Sequence, residues 1–166
     1  MVNGKRILLC SLLLSIALVL HFVESLLPPL IMIVGMKIGL ANIITLIAFI
    51  FMSKKEAFLI TILRIIIGSI MGGSPSSLLY SLSGGVTAFL VLLLLFPIFH
   101  KNIWVLSITA AIFHNIAQVF VAYYITGTIQ VFLFLFPLTA LAILSGTFTG
   151  ITASYIARHK LFEKFY

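Results

Sequence analysis

Charge is what this sequence has least of. Only 8% of its 166 residues are Asp, Glu, Lys or Arg, whereas a soluble domain carries about 25%. With 63% hydrophobic residues and a mean hydropathy of +1.32, no charged surface is available to keep the chain in water. That excludes the soluble globular, disordered and fibrous classes. Aspartate is absent altogether, and the acids are Glu24, Glu56 and Glu163. Without Asp no Ser-His-Asp triad can be assembled; a Glu variant stays open on composition. The single cysteine, Cys10, lies inside an apolar run, where it forms no internal disulfide and reads as a packing thiol. There is no GxxxxGK[ST] phosphate loop, no HExxH and no Cys/His cluster with zinc spacing. His21, His100, His114 and His159 are dispersed. No catalytic constellation, cofactor site or metal site is therefore expected, and the chain is expected not to be an enzyme.

What is present is a series of long apolar runs. A helix needs about 20 residues to cross a bilayer. The runs fall at approximately 7–27, 38–52, 57–71, 78–99, 103–125 and 129–157. The second and third are short, and the sixth is long enough to tilt, with Pro137 as a candidate kink. The first run is longer than a signal-peptide core and has no small-x-small cleavage site, so a retained helix is expected. Stretches such as 43–51 and 91–96 are apolar on every side, which favours helices over the alternating strands of a membrane barrel. The predicted fold is all-α: one polytopic domain over 1–166, an integral membrane bundle of six transmembrane helices with no linker, second domain or clear inverted repeat.

The net charge of +7 fits this plan without nucleic acid. With the N-terminus inside, Lys5, Arg6, Lys54, Lys55, Lys101, Arg158, Lys160 and Lys164 all fall on the inner side. Lys37 alone falls in an outer loop, and Arg64 lies within a span. This asymmetry predicts an N-in/C-in topology with anionic lipid headgroups as neighbours of the basic loops.

Small residues recur at helical spacing. Ala142, Gly146, Gly150 and Ser154 form a stripe of period four in the sixth run, and Ser11 and Ser15 are four apart in the first. Such stripes either pack helices inside a bundle or dock a partner membrane subunit, and periodicity does not choose between the two.

Polar groups inside the runs are the candidate site. A charge at the bilayer centre is costly, about 2.5–3.5 kcal/mol on insertion scales, so it faces the bundle interior or a wet cavity. Arg64 is the clearest case; it either pairs with Glu24 to fix the helix arrangement or binds an anionic solute. His114, Asn115 and Gln118 place three hydrogen-bonding side chains within five residues, and His114 and Gln118 share a face. His21 and Glu24 share a face near the outer end of the first run. They form an interfacial pair, or line a cavity mouth with Glu24 paired to Lys37 or Arg64. Lys37 and Asn42 lie among Gly35, Gly39 and Ala41, which allow close backbone approach. Residues 72–77, with Ser81 and Ser83 beyond, are either an anion-binding turn or simply a turn.

The segment Gly35-Met36-Lys37-Ile38-Gly39-Leu40-Ala41-Asn42-Ile43 resembles the PGxKLGLANI signature of the heptaprenyl diphosphate synthase component I family, also called the Gx transporter family. Val34 stands where the family usually has Pro. Arg64 followed by a Gly-rich turn, the string from Ser81 to Gly85, and His114-Asn115 with Gln118 match in order and spacing. The likeness runs from about residue 10 to 155. It implies a multi-pass protein of a prokaryotic plasma membrane, similar to the substrate-binding S-components of energy-coupling-factor (ECF) vitamin transporters. Such proteins bind a solute from outside and rely on a transmembrane coupling subunit and ATPases. Their first helix docks on the coupling subunit through a small-xxx-small face, of which Ser11 and Ser15 are the counterpart here.

The substrate-binding residues expected on these combined grounds are Arg64, His114, Asn115, Gln118, Glu24, Lys37, Asn42 and Ser81, around a cavity in the outer half of the bundle. The alternative implied by the family is a non-catalytic membrane accessory or scaffold subunit, linked to polyprenyl diphosphate and quinone synthesis or to flavin-based extracellular electron transfer. The synthase in the family's name has no chemical support in this chain. Ionising an allylic diphosphate requires Mg²⁺ held by carboxylates, and the chain has no Asp and three scattered Glu.

Overall fold

The computed structural model describes residues 4–26, 41–71 and 75–158, without the side chains of 75 and 76. These residues form six α-helices and one 3₁₀ segment: α1 (Gly4–Leu26), α2 (Asn42–Phe51), α3 (Lys54–Met71), α4 (Pro75–Phe99), α5 (Ile103–Thr126), the 3₁₀ turn (Ile129–Phe134) and α6 (Leu135–Arg158). No strand occurs among them.

Among the described residues four segments are long and apolar enough to cross a membrane: Gly4–Leu26, Ser77–Phe99, Ile103–Thr126 and Ile129–Arg158. The two short runs behave differently. α2 has 10 residues, which at 1.5 Å per residue reaches about 15 Å, roughly half the hydrocarbon core. α3 has 18 residues but carries Lys54, Lys55, Glu56 and Arg64, so its composition is less apolar than that of the other long helices. Two prolines sit where a missing N–H costs little: Pro75 opens α4, and Pro137 falls in the first turn of α6, whereas Pro97 lies inside α4, close to its end. The sixth run begins as a 3₁₀ turn and becomes α-helical at Leu135, two residues before Pro137.

Contacts between elements fix their directions. Arg6 and Cys10 of α1 lie in the electrostatic reach of Glu56, and His21 lies against Gly68, so α1 and α3 run parallel. Asn42 meets Arg64 while Lys54 reaches back to the Phe49 carbonyl, so α2 opposes α3. Ile65 meets Gly85 and Phe58 meets Phe89, so α4 opposes α3. Gly84 meets His114, and Asn115 meets Leu138 while Trp104 meets Gly150, so α5 opposes α4 and α6 opposes α5. Odd-numbered helices thus point one way and even-numbered helices the other. Arg6, Lys54, Lys101 and Arg158 are gathered at one end of the bundle.

That basic end is tied together by one lysine. Lys54 Nζ donates to the Phe49 carbonyl at 2.6 Å and sits 3.5 Å and 4.4 Å from the ring centroids of Phe49 and Phe96. Phe49 in turn packs edge-on against Phe89 and Phe96, both at 5.4 Å. One ammonium therefore links the end of α2, the start of α3 and the last turns of α4, through a cation–π contact and the carbonyl-rich end of a helix. Next to it Ser53 and Glu56 cap α3 reciprocally. Glu56 N donates to Ser53 Oγ (3.3 Å), and Ser53 N donates to Glu56 Oε2 (3.0 Å).

The closest helix pair is α5 with α6. A Cβ on Gly146 would stand 2.7 Å from the Ile108 Cα, and one on Gly150 would stand 2.5 Å from the Trp104 Cα. Small residues four apart let two backbones touch, the main source of helix affinity where lipid removes the hydrophobic drive. Of the rest of the stripe, Ala142 is buried and Ser154 returns its hydroxyl to the Gly150 carbonyl at 2.7 Å. On α1, Ser11 and Ser15 lie on the exposed face, and Ser15 Oγ donates to the Ser11 carbonyl at 2.8 Å.

Candidate functional site

Mid-helix positions of α2 to α6 enclose a small cavity of about 30 Å³. A water needs roughly 10–15 Å³ measured this way, so about two waters fit. Its polar lining residues are Asn42, Thr45, Thr61, Arg64, Ser107, Ser145 and Thr149. Asn42 and Thr45 are one turn apart on α2, and Thr61 and Arg64 one turn apart on α3, so each helix turns a pair of polar groups inward.

Arg64 dominates the chemistry. It is 6% exposed, and its Nη2 donates to Asn42 Oδ1 at 3.2 Å. Its Nε is buried and makes no hydrogen bond; the Thr45 hydroxyl is in the same condition. Thr61 donates to the Ala57 carbonyl at 2.8 Å, and Ser107 and Thr149 share a bond of 2.6 Å. Two residues that line the cavity thus each hold a buried donor without an acceptor. A buried polar atom left unpaired costs about 1–3 kcal/mol, and more if charged, so such pairs mark a site awaiting an acceptor. Electrostatically Arg64 stands between Glu24 of α1 and His114 of α5, both of which it feels through space.

The sequence-predicted residues divide accordingly. Arg64, Asn42, Glu24 and His114 are brought into one electrostatic neighbourhood. Asn115 is used differently: its Nδ2 donates to the Leu138 carbonyl at 2.9 Å, bonding α5 to α6. Gln118 is buried with Oε1 unpaired, as is His114 Nδ1, and both lie beyond the cavity wall. Ser81 is half-buried on α4, also off the wall. Lys37 lies outside the described residues. Each buried imidazole has a glycine beneath it: a Cβ on Gly68 would be 2.7 Å from His21 Cδ2, and one on Gly84 2.7 Å from His114 Cε1.

Thr45, Thr61, Ser107 and Thr149 are site residues that the sequence analysis passed over. The available signal was the i, i+3 pairing of Thr45 with Asn42 and of Thr61 with Arg64 inside apolar helices. No group of three or more potential metal ligands occurs among the described residues.

Taken together, the long apolar helices and the polar centre sealed among them define a multi-pass helical membrane protein. The chain belongs to the heptaprenyl diphosphate synthase component I family, whose model matches residues 13–156. No curated protein and no solved structure matches it.

Proposed function

We propose that the chain is the solute-binding membrane subunit of a transporter, resembling ECF S-components, and that its solute carries an anionic group. The observation that carries this reading is the pair of buried, acceptor-less donors, Arg64 Nε and Thr45 Oγ1, on two residues that line one cavity. A carboxylate or phosphate oxygen supplies the missing acceptor and meets a guanidinium already oriented by Asn42. Glu24 balances the charge of Arg64 when no solute is present. A vitamin-sized solute needs a pocket of about 300–1,000 Å³. Binding therefore requires the short helix α2 to move away from α4 and α6.

In this reading the chain crosses the plasma membrane six times, with both termini and the basic end inside. The exposed Ser11/Ser15 face of α1 meets a coupling subunit. The chain is not an enzyme, and transport draws its energy from partner ATPases.

The family's description as a synthase component favours a second reading. There the chain is a non-catalytic membrane partner of a prenyl synthase or electron-transfer protein, and Arg64 serves only to fix the helices.

Native mass spectrometry of protein extracted in mild detergent separates the two. The transport reading expects an anionic small molecule bound to the wild type and lost from Arg64→Met, with a coupling protein and paired ATPases co-purifying. A ligand-free wild type that brings down a prenyl synthase catalytic chain overturns it.

A further inference from the structure

A second cavity lies at the basic end, remote from Arg64. It is an open cleft of about 520 Å³ between the start of α5 and the last turns of α6, within the size range of small-ligand sites. Lys101, in the turn before α5, and Arg158, the last residue of α6, line it, both exposed, and no carboxylate occurs among its described lining residues. Trp104 and Tyr155 form aromatic walls, 48% and 63% exposed. Packing explains why the indole points outward. Gly150 approaches the Trp104 Cα so closely that no side chain fits between the helices there. Asn102, which precedes α5, makes no side-chain capping bond to the helix start.

We propose that this cleft binds the phosphate of an anionic phospholipid, with Lys101 and Arg158 as the cationic clamp and Trp104 and Tyr155 against the glycerol and upper acyl chain. Three features select a lipid over a soluble anion. The cleft sits at the ends of two helices long and apolar enough to span a bilayer, which places it at headgroup depth. Its aromatics are the Trp and Tyr characteristic of the membrane interface. Its lining includes Ile151, an apolar residue 59% exposed on α6, which offers an acyl chain an apolar surface. A basic residue near a charged membrane surface contributes about 1 kcal/mol, or roughly fivefold in affinity, so two facing one phosphate produce marked selectivity.

Trp104 is the only tryptophan in the chain, so its fluorescence reports on the cleft alone. The full-length protein is reconstituted in phosphatidylcholine bilayers containing a brominated lipid, either phosphatidylglycerol or phosphatidylcholine, at equal mole fraction. Brominated phosphatidylglycerol is expected to quench Trp104 at several-fold lower mole fraction, and Lys101→Ala/Arg158→Ala to abolish the difference. Lys5→Ala/Lys55→Ala, which removes the same charge elsewhere at the basic end, is expected to leave it intact, and helical circular dichroism checks that each variant has folded. Equal quenching by the two lipids in wild type overturns the proposal. An equal loss in the Lys5/Lys55 variant overturns it in favour of general surface charge. Reversal of the preference by millimolar glycerol phosphate assigns the cleft to a soluble phosphate instead.

Discussion

Gly84 on α4 and His114 on α5 share one volume: the imidazole lies where a side chain at 84 would be, with Cε1 2.7 Å and Nδ1 2.8 Å from an added Cβ. A helix seam this close leaves the ring no slack. Gly84→Ala should therefore force His114 out of place and cost about 1–3 kcal/mol, as overpacking does. Thermal unfolding in detergent measures this. In a His114→Ala background the ring is gone, and most of the cost should vanish. If Gly84→Ala is equally harmful in both backgrounds, the glycine matters for another reason.

Thr45 offers a cleaner probe of the cavity than Arg64 does. Its hydroxyl is buried without a partner, so Thr45→Val removes no hydrogen bond from the ligand-free protein and relieves an unpaired polar atom. Stability should stay level or rise by about 1 kcal/mol. Retention of the co-purifying anion should nevertheless fall, because one of its donors is lost. A variant that is destabilised and still holds its ligand fully would show that the hydroxyl belongs to the fold and not to the site.

Much of this arrangement was legible in the sequence. The apolar runs located every described helix, because in a chain this greasy the segment boundaries are set by the few charges and prolines. Arg64 stood out because an isolated cation in an apolar run has to be buried among other helices. The inward hydroxyls were harder to read, since Thr and Ser in such helices usually bond back to their own backbone, as Thr109, Thr139 and Thr147 do here. Only its i, i+3 spacing from Asn42 distinguishes Thr45 from these. Asn115 belongs to a polar trio by sequence, and what no local pattern shows is that its Nδ2 donates to a carbonyl of α6. The Ser53–Glu56 cap has the S-x-x-E spacing of a capping box.

That cap makes a pH prediction. The hydrogen bond from Ser53 Oγ to Glu56, 2.7 Å long, holds the Glu56 carboxyl below its ordinary value of 4.5. A carboxyl lowered by folding stabilises the folded state at pH values above its unfolded pKa. That contribution fades as pH falls below 4.5 and through the folded value. Ser53→Ala should cost about 1 kcal/mol at neutral pH, typical of a lost N-cap. It should also flatten the acid limb of the stability profile, bringing wild type and variant closer together at pH 3 than at pH 7. Curves that stay parallel down to pH 3 would remove Glu56 from the account.

The glycine stripe of α6 should be the least tolerant surface in the bundle. At Gly150 an added Cβ meets the Trp104 Cα at 2.5 Å, and at Gly146 the Ile108 Cα at 2.7 Å. Both obstacles are backbone, so no side chain can rotate away and the helices themselves must separate. Separation would also disturb the Ser107–Thr149 bond, which joins the same helices between those glycines, and with it one wall of the cavity. Gly150→Val is thus expected to lower the unfolding midpoint more than Gly84→Ala does, and to weaken anion retention although residue 150 does not line the cavity. Gly4→Ala, where an added Cβ meets nothing within 4 Å, should stay within about 0.5 kcal/mol of wild type. Comparison of the three midpoints in one detergent tests the order, and a Gly150→Val protein as stable as Gly4→Ala would mean that α5 and α6 do not touch there.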